Sequence, residues 1–152
     1  MKALLKLLLP TLIPYVIFAR YTALGEAHKD IAGQLTEISL NSLMYYFRYT
    51  SPYLYIILFL TQYVVVIPIW DKLNSRLLRA AFVTLLWVLS ASLLLAVGVS
   101  YAIWDKALGT DSLYRSIGAL FGVQGMYWLI NIALLFIIDL IAQKNKKKEK
   151  EE

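Results

Sequence analysis

Apolar residues fall into four long continuous runs, separated by stretches where polar and charged residues gather. A helix rises about 1.5 Å per residue and the bilayer hydrocarbon is about 30 Å thick, so one crossing takes about 20 mostly apolar residues. The runs cover about residues 3–20, 53–70, 80–104 and 117–142. They are continuous rather than alternating, which excludes the strands of a membrane barrel. The pattern predicts an all-α integral membrane protein. Residues 1–143 form a single domain, a four-helix transmembrane bundle, and 144–152 form a charged cytoplasmic tail.

Local signals mark the ends of these runs. Ser51-Pro52 has the form of an N-cap followed by proline at the first helical position, where a missing N–H costs nothing. Trp70, Trp104 and the tyrosines from Tyr45 to Tyr55 stand where an interfacial aromatic belt belongs. Gly109 followed by Asp111 and Ser112 predicts a helix stop and a fresh N-cap. From Leu113 the fourth helix has room for about 30 residues, so its first two turns project beyond the hydrocarbon. Pro10 and Pro14 in the first run and Pro68 near the end of the second should each bend or end a helix.

The segment between the first two runs has a pattern of its own. At 100° per residue, Asp30, Gln34, Glu37, Asn41 and Arg48 fall within about 60° of one another. Ile31, Leu35, Ile38, Leu43, Met44, Tyr46 and Phe47 fill most of the remaining circumference. This predicts an amphipathic interfacial helix between spans one and two, which lies on the membrane or caps the bundle.

Composition agrees with the pattern. The chain is 60% apolar and 16% charged, with no cysteine and a mean hydropathy of +0.63. A soluble domain of 152 residues would need more polar surface than this, and disorder is excluded on the same ground. A disulfide scaffold and thiol redox chemistry fail for want of cysteine.

Charge then sets the orientation. Lys2, Lys6, Lys72, Arg76, Arg79 and the tail residues Lys144, Lys146, Lys147, Lys148 and Lys150 share one side. Arg20, Lys29, Arg48, Lys106 and Arg115 share the other, giving ten basic residues against five. Basic flanks are retained in the cytoplasm, so both termini are expected there. The net charge of +5 thus reports topology and anionic lipid rather than nucleic acid. The first 25 residues also share features with a cleaved signal peptide, with Ala23-Leu24-Gly25 as a small-residue site. Arg20 after the apolar core, and Pro10 and Pro14 within it, argue against cleavage. A bacterial inner membrane suits this Lys-flanked, cysteine-free chain. The final Lys148-Glu149-Lys150-Glu151-Glu152 also matches the spacing of a dilysine retrieval signal, which keeps an endoplasmic reticulum membrane as the alternative.

Polar groups inside the runs are few. Asp139 is the only acid, about 7.5 Å by helical rise from the headgroup-level Lys144. Its expected state is pairing with the Arg76/Arg79 loop or hydration at the inner surface; a proton or cation site is the sharper alternative. Gln62 lies midway along the second run. Gln124 and Asn131 are seven residues apart on the fourth and nearly superposed, with Asp139 within about 80°. Amides facing lipid would be left unsatisfied, so the stripe Gln62, Gln124, Asn131 and Asp139 must face a helix, a bound partner or a hydrated cavity. Small residues lie beside it: Gly118, Gly122 and Gly125 on the fourth run, and Ser92, Ala96 and Ser100 at four-residue spacing on the third. Such faces allow close helix packing, between these two spans or between protomers.

The chemistry of known enzyme classes is absent from the sequence. His28 is the single histidine, flanked by Glu26 and Asp30, so no metal site and no bis-histidine haem is expected. There is no nucleophile elbow, HExxH, Walker A or dinucleotide fingerprint. The sequence therefore predicts no cofactor, no metal and no catalytic activity. It points to a small polytopic protein acting through helix contacts, as an accessory subunit, assembly factor or immunity-like inhibitor of another membrane system. Its expected partners are membrane lipids and a membrane protein or further copies of itself. A small oligomeric transporter or channel is the alternative. A lipid-modifying enzyme using His28 is the third reading.

Overall fold

The computed structural model describes residues 2–25, 53, 55–73, 76–104, 106 and 109–148. Among these the chain is almost wholly helical and carries no strand. Four helices follow one another: α1 over Lys2–Gly25, α2 over Tyr55–Leu73, α3 over Leu77–Ile103 and α4 over Gly109–Lys148. Helices α2, α3 and α4 are long and apolar enough to cross a membrane, and α1 carries a shorter apolar stretch, Leu4–Ile17. The amphipathic helix expected over 30–48, His28 and the Ser51-Pro52 cap lie outside the described residues.

None of the three prolines ends its helix. Helix α1 runs through Pro10 and Pro14, both fully buried. Helix α2 meets Pro68 by widening first: Gln62–Val66 is a π turn, closed by the Ile67 N–H donating to the Gln62 carbonyl. A proline ring presses on the carbonyl four residues back, and a wider turn just upstream relieves that clash.

The connections from α2 to α3 and from α3 to α4 are short. Arg76 caps α3, its carbonyl accepting from the Ala80 N–H at 2.9 Å, while its own N–H reaches back to the Leu73 carbonyl at 3.1 Å. Between α3 and α4 the chain turns on Gly109, whose φ of +75° suits a residue without a Cβ. The Trp104 indole N–H and the Ser112 hydroxyl both donate to the Gly109 carbonyl, at 3.0 and 2.7 Å. Helix α4 thus starts at the glycine, with Asp111 and Ser112 inside its first turn rather than capping it.

Helices α3 and α4 share the largest interface, α1 lies on α4, and α2 packs on α3 while touching α1 through its π turn. Val66, Trp70, Ala80, Val88, Trp128 and Leu135 form the core between them. Polar side chains are buried beside this apolar core, and large apolar ones cover the outside. Thr11, Gln62, Thr84, Ser92, Ser100, Asn131 and Asp139 are buried, while Leu78, Leu94 and Phe82 are 78%, 76% and 69% exposed. Contiguous apolar exteriors of this kind are rare on proteins surrounded by water.

Candidate functional site

Gln62, Tyr127, Asn131 and Asp139 all reach α1, and its prolines explain the two amide contacts. In an α-helix each N–H bonds the carbonyl four residues back. Proline has no N–H, so Pro10 leaves the Lys6 carbonyl without its partner and Pro14 does the same to the Pro10 carbonyl. Two side-chain amides supply the missing donors. Gln62 Nε2 on α2 donates to the Lys6 carbonyl at 3.2 Å, and Asn131 Nδ2 on α4 donates to the Pro10 carbonyl at 2.7 Å. Tyr127, one turn before Asn131, donates its O–H to the Thr11 carbonyl at 3.3 Å. A carbonyl can only accept, which fixes the amide orientations and turns Gln62 Oε1 and Asn131 Oδ1 away from α1. Both oxygens are buried without a partner, as is Thr84 Oγ1.

One end of this arrangement carries charge. Lys6 Nζ lies 2.8 Å from Asp139 Oδ2 on α4 and 2.9 Å from Asp71 Oδ1 at the end of α2. Asp139 is 5% exposed, and its Oδ2 also accepts from the Trp70 indole N–H at 2.7 Å. One cation therefore ties the start of α1 to the ends of α2 and α4. Burying a single carboxylate would be prohibitive, and the ammonium with the indole N–H offsets that cost. The expected pairing of Asp139 with Arg76 or Arg79, or its hydration, is corrected here. Lys6 takes its place, because antiparallel packing of α1 on α4 lays Lys6 against the carboxylate.

The remaining sequence-predicted residues divide. Gln124 is half-buried and joins none of these bonds. On α3, Ser92, Ala96 and Ser100 are all buried, and Ser100 Oγ donates to Ser116 Oγ on α4 at 3.1 Å. Gly125 is buried, and a Cβ placed there would sit 3.6 Å from Leu89. Gly118 and Gly122 point elsewhere: both are exposed, and a Cβ at either meets nothing within 4 Å. The α3–α4 interface thus uses the serine–alanine face and Gly125, and leaves the Gly118–Gly122 step outside. Thr11 and Tyr127 were not singled out from the sequence, and Lys6 was read only as a flanking charge. Trp70, expected in an interfacial belt, is instead fully buried with its indole N–H on Asp139. A signal for the amides existed: two prolines four residues apart free two carbonyls one turn apart, which calls for two donors from elsewhere.

Among the described residues no three metal-ligating side chains come together. Compared with protein-family models, with curated proteins and with solved structures, the chain matches none.

Proposed function

We propose that this chain is a four-span membrane protein with both termini in the cytoplasm, acting without catalysis through contacts along its outer helix faces. It serves as an accessory subunit, assembly factor or immunity-like inhibitor of another membrane system, in a bacterial inner membrane. The observation carrying this reading is how the intramembrane polar groups are used. Gln62, Asn131 and Asp139 are all bonded to α1, so these three members of the stripe tie α1 to α2 and α4. A transport path lined by these groups would have to break those bonds. Interhelical hydrogen bonds in membranes average under 1 kcal/mol and reach about 2 kcal/mol, enough to fix rotation and register. The orientation is supported by Lys6, Asp71 and Asp139 meeting at one level, the level where Lys72, Arg76 and Lys144 flank the helices.

The test is purification of the tagged chain from its native membrane in mild detergent, with the mass and stoichiometry of what accompanies it. A partner at fixed ratio is the expected result, and recovery alone as a homo-oligomer would favour transport. Gly122→Ile should release the partner while leaving the helical content unchanged, because position 122 has open space around it in the single chain. An unchanged complex on a native gel would remove Gly122 from the contact face.

A further inference from the structure

An open groove runs along the seam between α3 and α4. Its length holds two adjoining hollows of about 500 and 440 Å³ that share Leu78 and Phe136. Leu78, Ala81, Leu85, Ile132, Ala133 and Phe136 line it, with the alanines giving it room. At one end stand Arg76 and Arg79, with Gln143 on the opposite wall. From Arg76 to Leu85 is about 14 Å by helical rise, close to the roughly 15 Å of hydrocarbon in one leaflet.

We infer that this groove is a binding site for an anionic phospholipid of the inner leaflet, with the phosphate on Arg76 and Arg79 and an acyl chain along the seam. The assignment rests on the membrane reading above and goes beyond it in naming a ligand. Both arginines are exposed and form no ion pair among the described residues, and the guanidinium fork matches phosphate oxygens. Lys6 accounts for the choice of an anionic headgroup over a zwitterionic one. Choline or ethanolamine would bring its own ammonium up beside the two arginines, and like charges repel. Among the described residues the acids at this end, Asp71 and Asp139, are both held by Lys6. The arginines are thereby left with net positive charge facing the headgroups.

The full chain in detergent micelles, titrated separately with phosphatidylglycerol and phosphatidylcholine, tests this by native mass spectrometry of bound lipid. Phosphatidylglycerol should be retained at one per chain and phosphatidylcholine should not. A basic residue near a membrane surface contributes enough that the paired substitution Arg76→Gln with Arg79→Gln should weaken binding by about thirty-fold. Ala133→Trp, which fills the seam with the arginines intact, should abolish retention. Equal retention of both lipids, or unchanged binding in either variant, overturns the assignment. So does displacement of the lipid by inorganic phosphate alone, which would leave a free-anion site. Conversion of a dimer to a monomer by Ala133→Trp with lipid unchanged would give the groove to a second copy. Resistance of the native membrane fraction to alkaline carbonate separates the two readings. A chain released by carbonate ends both, whereas a chain that stays and ignores phosphatidylglycerol ends this one alone.

Discussion

Lys6 is a cation in the apolar part of a helix, with a side chain only 13% exposed, and its two carboxylate neighbours make that position tenable. The partners are unequal. Asp139 is buried, whereas the Asp71 side chain is 53% exposed and its contact is weakened by solvent. Replacing Lys6 with Met strands a buried carboxylate, which costs about 3–5 kcal/mol, while neutralising both members of such a pair is often close to neutral. Lys6→Met should therefore be strongly destabilising in denaturant titrations in micelles. Lys6→Met combined with Asp139→Asn should recover most of the loss, and Asp71→Asn alone should cost less than about 1 kcal/mol. If the double variant were as weak as Lys6→Met, the charge pairing would not be what matters at this site.

At the scale of the helix, α1 is an incomplete ladder finished by its neighbours. Asn131→Leu leaves the Pro10 carbonyl without a donor, a loss of about 1–3 kcal/mol for a buried group. Pro14→Ala returns an N–H to position 14 within reach of that carbonyl, so it should rescue Asn131→Leu in part. Unfolding of the four chains in this double-mutant cycle measures the coupling, and purely additive losses would refute the link between proline and amide. The same element shows what a sequence reveals. The four helices were legible because their apolar runs are continuous, and three of them are long enough to cross a membrane while the first carries a shorter apolar stretch. The need of Gln62 and Asn131 for partners was legible because an amide within a long apolar run has few donors or acceptors near it. The identity of the partners was not, because it depends on which helix lies against which, and periodicity does not order helices in space. Pro10 and Pro14 read as kinks, when their larger effect is on the carbonyls they free. Asp139 lies nearer in sequence to Arg79 than to Lys6, and packing alone reversed that order of preference. The Gly118–Gly122 step was legible as a close-packing face, but its motif does not say against what, and within the chain it meets nothing.

For the whole molecule, the absence of cysteine gives a clean background for mapping topology. With both termini inside, Lys72→Cys should react with an impermeant maleimide only after the membrane is opened. Thr110→Cys should react from outside in intact cells. The reverse pattern would invert the chain, and labelling of both from one side would remove the hairpin of α2 and α3. The bonds that complete α1 also impose an order in time. The Tyr127 and Asn131 donors lie 116 and 121 positions beyond the carbonyls they serve. At about 5–20 residues per second of synthesis, Asn131 is made roughly 6–24 s after Pro10. Until then the Pro10 carbonyl is bare and Lys6 has only the exposed Asp71. Gln62 and Asp71 on α2 are made earlier and Asp139 comes later still, so α1 is fully tied down only when α4 is complete. A ribosome stalled before α4 therefore leaves α1 without its α4 partners, the form on which a quality-control protease would act first.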